Sequence, residues 1–122
     1  MVVKINNKDE KFYSIMGKFF GSRLIEKITN DRIYDDKNKQ WYVYINEDEN
    51  ENALAFVSVS NETIKNIYAS NEKVLEEILN YIKEEVKIID SIVTNVYEDV
   101  YTKCQFNVNK SEGYRNFVTI SM

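Results

Sequence analysis

The sequence predicts a single domain of mixed composition: a mixed, mostly antiparallel β-sheet flanked by helices, an α/β fold of the α+β kind. Three observations lead to this prediction. The length of 122 residues suits one domain, spanning 1–122. A composition that is 43% hydrophobic and 13% aromatic can supply a core. The hydrophobic periodicity switches between strand-like and helix-like segments in the order β-α(α)-β-β-β-α-β-α-β.

One strand and one or two helices are expected before residue 30. Val2 to Ile5 is an apolar run that can form the opening strand. From Phe12 to Ile28 apolar residues recur at intervals of three and four, which is the spacing of a helix. Gly17 and Gly21 interrupt this pattern, and Ser22 is a residue type that caps helices. Two short helices that meet near Gly21 are therefore as good an interpretation as one.

Three strands are expected next. Trp41 to Ile45 is dense in aromatic and β-branched residues, and Ala53 to Val59 follows after an acidic connector. These two segments predict an antiparallel hairpin with a long tip. Thr63 to Tyr68 is a weaker strand that can pair beside the second. Strict alternation in this strand places Ile64, Asn66 and Tyr68 on one face and Thr63, Lys65 and Ile67 on the other.

A helix from Asn71 to Val86 is the clearest element, with Ser70 or Asn71 as its N-cap. A strand from Ser91 to Val96, a short helix from Tyr97 to Cys104 and a last strand from Tyr114 to Ser121 follow it. The apolar face of the long helix consists of Val74, Leu75, Ile78, Leu79, Ile82 and Val86.

Composition excludes several kinds of chemistry. The chain has no histidine, and Cys104 is its only cysteine, which rules out an internal disulfide, a cysteine-based zinc site and any Ser/His or Cys/His pair. With 20 acidic and 16 basic residues the net charge is −4, which opposes binding to nucleic acid or anionic lipid. No signal-peptide core and no membrane span is recognisable, so we expect a cytoplasmic protein.

Three segments resemble the GNAT superfamily of acetyltransferases, over roughly residues 12 to 121. The hairpin of 41–45 and 53–59 resembles the central hairpin of that family, and 63–68 resembles its cofactor-pairing strand. The segment Asn95 to Phe106 is similar to the family's Asn…Leu-Tyr-x-x-x-Gly-Phe pattern. The resemblance implies that Tyr101 protonates a leaving thiolate. It also implies that the backbone of Ile67, Tyr68 and Ala69 pairs with the pantetheine arm of acetyl-CoA.

The sequence departs from that family at the motif that holds phosphate. In GNAT proteins the fourth strand leads into Arg/Gln-x-x-Gly-x-Gly/Ala, whose bare backbone approaches the pyrophosphate. Here Tyr68-Ala69-Ser70-Asn71 leads directly to the long helix, and no glycine lies between Gly21 and Gly113. Glu72, Glu76 and Glu77 place negative charge at this position, and residue 105 is Gln where the family has Gly. We therefore expect no acetyl-CoA cofactor and no metal.

Several candidate residues also have a structural interpretation. Tyr101 is a candidate general acid, but because the motif that holds the cofactor's phosphates is missing, it is better explained as a packing residue of the core. Cys104 has no histidine to activate it, so a buried, inert thiol is expected. The acidic tip at Glu47, Asp48 and Glu49, with Glu51, lacks the ligand spacing of a calcium loop and is interpreted as solvated.

The expected function is that of a catalytically silent GNAT-like domain that binds a protein partner, such as a phage or mobile-element inhibitor of a host system. Its partner-binding residues are expected at the hairpin: Trp41, Tyr42, Tyr44, Glu47, Asp48 and Glu49.

One alternative is an N-acetyltransferase that binds acyl-CoA in an unconventional way, with Tyr101 as the acid. Another is a small-molecule sensor that uses the cleft in which GNAT proteins hold their cofactor. Nucleic-acid binding through Arg23, Lys27 and Arg32 ranks last. A homodimer formed through the central hairpin or the last strand is a further option, because sheet edges can pair.

Overall fold

The computed structural model describes residues 1–47, 52–111, 113 and 115–122. It contains seven strands in this part of the chain: β1 (Val2–Ile5), β2 (Gln40–Asn46), β3 (Asn52–Ser60), β4 (Thr63–Ala69), β5 (Ser91–Thr94), β6 (Asn107–Lys110) and β7 (Phe117–Ser121). The helices are α1 (Phe12–Met16), α2 (Arg23–Thr29), α3 (Glu72–Glu85) and α4 (Glu98–Lys103), the last preceded by a 3-10 turn at Asn95–Tyr97. The predicted mixture of antiparallel strands and flanking helices is confirmed.

The strands form two antiparallel sheets. The first has the order β1-β2-β3-β4 and the second the order β5-β7-β6. The first sheet separates two hydrophobic cores, because successive side chains of a strand point to opposite faces. Tyr42 packs in the larger core, with α3, α4 and the second sheet, whereas Trp41 and Val43 pack in the smaller one, with α1 and α2. Alternation along the strand predicts Tyr42 and Tyr44 on one face of β2 and Trp41 and Val43 on the other, and the structure confirms this division.

Two of the helices, α2 and α3, begin where the capping residues predict. The hydroxyl of Ser22 accepts a hydrogen bond from Ile25 N at 3.3 Å, and Gly21 takes a positive φ of 75° at the break between α1 and α2. At the long helix the cap is Asn71, whose side-chain oxygen accepts from Val74 N at 3.1 Å. Among the described residues, no helix is long and apolar enough to cross a lipid bilayer.

A β-bulge makes the predicted alternation of β4 wrong. Val59 pairs with Ile64 and Ser58 pairs with Asn66, so Lys65 has no partner in the ladder. The extra residue shifts the register by one, which moves every later side chain to the opposite face. Ile64 and Ile67 consequently share the larger core, and Asn66 is buried at 4% exposure.

The second sheet differs from the prediction in three ways. β5 ends at Thr94 instead of residue 96, β6 was not predicted, and the last strand begins at Phe117. The predicted first residue of that strand, Tyr114, lies outside the described residues. The last strand, β7, lies between β5 and β6, while β2 and β3 are interior strands of the first sheet. β2, β3 and β7 each have a neighbouring strand on both sides, so none of them offers a free edge for pairing, and the homodimer stays a prediction.

Candidate functional site: the gap between the two sheets

The site is the gap between β4 and β5, where the two sheets meet without a continuous ladder. At one end Ile64 N donates to the Ser91 hydroxyl at 2.9 Å. At the other end the hydroxyl of Tyr97 lies against Ala69, the last residue of β4. The first contact joins the beginning of β4 to the beginning of β5. The second contact joins the end of β4 to the 3-10 turn that follows β5. β4 and β5 therefore run side by side in the same direction.

Tyr97 fills the end of this gap beside Ala69. Its hydroxyl accepts from Ala69 N at 3.0 Å and donates to Ala69 O at 3.2 Å, so it takes both backbone groups that this residue turns away from β3. The ring is 7% exposed. Its position is set by the 3-10 turn, in which the Val96 amide donates to the hydroxyl of the N-cap residue Thr94. Burial raises the pKa of Tyr97, which keeps the hydroxyl protonated and able to donate.

Tyr101 lies deeper than Tyr97 and is fully buried. Its hydroxyl donates to the carbonyl of Thr94 at 2.7 Å. Burial raises its pKa well above the usual value for tyrosine. A general acid must contact the atom that it protonates, and in this structure the Tyr101 hydroxyl is engaged with a backbone carbonyl. The catalytic role suggested by the sequence stays a prediction.

The three residues expected to bind a cofactor are divided among different surroundings. The Ile67 side chain is buried in the larger core, and the Tyr68 ring stacks on the other face of the sheet, 5.9 Å from Phe19 and 5.8 Å from Phe56 between ring centroids. The backbone of Ala69 faces the gap and is bonded to Tyr97. The sequence did not single out Tyr97, because nothing in its position on the chain reveals that its ring reaches β4.

The connection from β4 to α3 is short and acidic. β4 ends at Ala69 and α3 begins at Glu72, so Ser70 and Asn71 alone lie between them. The Ser70 amide donates to Leu54 O at 2.9 Å, and the Asn71 side chain occupies the Val74 amide. Beside this helix end a pocket of about 410 Å³ is lined by Glu72, Lys73, Glu76, Asp99, Val100 and Lys103. Its charged groups number three carboxylates and two ammonium groups, and Glu76 pairs with Lys103 at 3.2 Å.

Two of the residues expected to bind a partner are in the core. Trp41 is fully buried, with its indole N–H donating to Asp35 at 2.8 Å, and Tyr42 is 1% exposed. Neither ring is available at the surface, so this part of the partner-binding prediction is wrong. The strand is interior to its sheet and has a helix on each face, which buries both rings. Tyr44 is half-buried and Glu47 exposed, while Asp48, Glu49 and Glu51 lie outside the described residues.

A buried polar cluster lies behind Trp41 and was missed at the sequence level. The Lys39 ammonium donates to Tyr34 O and to the Asn66 side-chain oxygen, both at 2.8 Å, although the residue is only 5% exposed. The Asn66 amide donates to Asp31 at 2.9 Å. Burial lowers the pKa of Lys39 and raises that of Asp31. Asn66 in the middle of β4 was the one signal for this cluster.

Metal and thiol chemistry find no support in the described residues. No group of three or more His, Cys, Asp or Glu side chains in the described ranges is placed to hold a metal ion. Cys104 is 3% exposed, as expected, and burial raises the pKa of its thiol. A neutral, buried thiol is a poor nucleophile.

The fold defines the class of protein that this chain resembles. Over 98% of its length it superposes on 96% of a crystal structure described as a phosphinothricin N-acetyltransferase, with a TM-score of 0.50 and 13% sequence identity. The chain therefore has a GNAT-like fold, and at this identity the likeness extends to the fold alone. No family model and no curated protein matches the sequence.

Proposed function

We propose that this chain is a catalytically silent GNAT-like domain that works by binding a protein partner. The observation that carries the proposal is the double hydrogen bond between the Tyr97 hydroxyl and the backbone of Ala69. The resemblance of β4 to the cofactor-pairing strand implies that a pantetheine arm would use these same backbone groups. In this chain they are bonded to a side chain of the protein itself.

The free energy needed to displace Tyr97 from the gap would weaken cofactor binding strongly. The two hydrogen bonds contribute about 0.5–1.5 kcal/mol each. Exposing the ring from its 7% exposed position forfeits roughly another 1.5–3 kcal/mol. Together these terms weaken acyl-CoA binding by a factor on the order of one hundred to a few tens of thousands, relative to an open gap.

The start of α3 adds a second obstacle to acyl-CoA. A pyrophosphate needs free backbone amides and positive charge. Here Asn71 occupies one amide of the first turn, and Glu72 and Glu76 lie beside it. Lys103, which could contribute positive charge, is paired with Glu76. Both the arm and the phosphates of the cofactor would therefore meet groups of the protein that already occupy or repel them.

Binding to a protein is supported by the surface and the charge. Leu24 is 69% exposed and Ile28 is 37% exposed, one helical turn apart on α2, and Val96 in the neighbouring 3-10 turn is 46% exposed. Exposed apolar side chains that lie together are typical of interaction surfaces. The net charge of −4 favours a basic partner surface. An inhibitor encoded by a phage or mobile element is consistent with this size and charge.

The test is isothermal titration of the purified protein with coenzyme A and acetyl-CoA, for wild type and for Tyr97→Ala. We expect no heat with wild type at millimolar ligand. Tyr97→Ala opens the gap, so any gain of binding should occur in this variant and not in Tyr13→Ala, a control whose ring is 62% exposed. Micromolar binding by wild type would refute the proposal.

The second candidate is an N-acetyltransferase with an unconventional grip on acyl-CoA. The fold of the N-acetyltransferase neighbour and the placement of Tyr101 on α4 favour it. This candidate requires that the Tyr97 ring swing out when the cofactor enters. It predicts micromolar binding by wild type together with acetyl transfer that Tyr101→Phe abolishes, which the first proposal does not.

A further inference from the structure

An apolar groove runs along the outer side of β1, on the opposite side of the first sheet from the gap at β4. The groove has a volume of about 520 Å³. Its floor consists of Val3, Ile5, Ile15 and Ile45. Val3 and Ile5 are on one face of their strand, two positions apart, and both are half-buried. A chain lying alongside them in extended form would place alternate side chains in this groove.

The backbone of β1 leaves hydrogen-bonding groups unused along the same side. Met1 exchanges hydrogen bonds with Ile45, at 2.9 Å and 3.2 Å, which makes this pair a hydrogen-bonded one. Pairs alternate along an antiparallel ladder, so Val3 and Ile5 also bond to β2. The N–H and C=O groups of Val2 and Lys4 therefore point outward. Within the described part of the chain, no strand pairs with this edge.

The charged residues at the rim of the groove indicate which kind of partner the groove can bind. Asp9, Glu10 and Glu47 line the groove, against one basic side chain, Lys11. Among the described residues, neither Glu10 nor Glu47 forms an ion pair. A second copy of this chain would bring the same acidic rim toward it, and like charges would oppose that pairing. Lysine or arginine side chains would instead be attracted.

We infer that β1 and this groove bind an extended basic segment of a partner protein, which adds a fifth strand to the first sheet. The segment would alternate apolar side chains, which enter the groove, with basic ones, which meet the acidic rim. Backbone hydrogen bonds to Val2 and Lys4 would fix its register. The inference builds on the proposed protein-binding function and names the surface and the chemistry of the partner. The exposed apolar side chains on α2 do not indicate the chemistry of a partner in the same way.

The test uses a defined probe: an eight-residue, end-capped, fluorescein-labelled peptide of alternating lysine and valine, with binding measured by fluorescence polarisation. We expect a dissociation constant on the order of 100 μM or tighter. The counterpart with glutamate in place of lysine should bind at least about tenfold more weakly. No binding of the basic peptide below millimolar concentration, or equal binding of both peptides, would overturn the inference.

Matched variants separate the backbone and charge contributions. Lys4→Pro removes the outward N–H, whereas Lys4→Ala removes the same side chain and its contact with Glu85 but keeps the N–H. We expect about tenfold weaker binding for Lys4→Pro than for Lys4→Ala. Glu10→Lys should weaken the basic peptide about fivefold, and Glu77→Lys, the same charge change on exposed α3 surface, should have little effect. Equal binding by Lys4→Pro and Lys4→Ala would contradict strand addition.

Two further measurements keep the result unambiguous. Should Lys4→Pro fail to fold, a basic peptide with alternate backbone amides methylated tests the same hydrogen bonds on wild type and should bind at least about tenfold more weakly. Sedimentation of wild type and Lys4→Pro tests the rival occupant, and a dimer that the proline dissociates would overturn the inference in favour of a second copy. Coenzyme A titration is independent of this surface, so the silent-domain proposal and this inference can fail separately.

Discussion

Replacing Tyr101 with phenylalanine tests whether this residue belongs to the core or to a reaction. The change removes one hydroxyl from a fully buried side chain and deletes its 2.7 Å bond to the Thr94 carbonyl. A buried carbonyl that loses its donor costs about 1–2 kcal/mol of unfolding free energy. For a chain of 122 residues the unfolding entropy is about 0.26 kcal/mol/K, so the midpoint should fall by roughly 4–8 °C.

The assay is thermal unfolding followed by circular dichroism, with urea unfolding as an independent measure. Tyr13→Phe is the matched control, because Tyr13 is 62% exposed and should tolerate the change within about 1 °C. A midpoint of Tyr101→Phe within 1 °C of wild type would refute the argument that its hydroxyl supports the core. In that case the hydroxyl would not contribute to the stability of the fold, and a role as general acid would explain its presence better.

Two other predictions concern the cap of α3 and the buried lysine. Asn71→Ala should lower the free energy of unfolding by about 1 kcal/mol, because the Asn71 side chain caps α3. Ser70→Ala should leave the free energy of unfolding nearly unchanged. Urea unfolding of both variants measures the two losses, and equal losses would contradict the prediction. The pKa of Lys39 is lowered from 10.5 by burial, so the unfolded chain binds more protons than the folded protein between the lowered value and 10.5. The free energy of unfolding should therefore rise with pH in that window, and Lys39→Met should flatten the rise; urea unfolding between about pH 8 and 10 measures both slopes, and identical slopes would contradict the assignment.

Local patterns in the sequence predicted most of the elements. The opening strand, the break at Gly21, the cap at Ser22 and the long amphipathic helix all depend on neighbours within a few residues along the chain. The two faces of β2 followed from alternation alone. β6 was missed because Asn107–Lys110 carries three polar residues of four, and its strand character comes from pairing with β7. The alternation of β4 failed because a bulge at Lys65 is set by its partner strand.

The sequence by itself determined a mixed α+β fold with a GNAT-like order of elements, without histidine chemistry and with a net charge of −4. Tertiary structure alone decided which aromatic rings are surface and which are core, since exposure depends on the neighbours that a strand acquires. It buried Trp41 and Tyr42, and it carried the Tyr97 ring across to Ala69, 28 residues away along the chain. Contacts between residues so distant in sequence depend on how the sheets pack, and no local pattern encodes that packing.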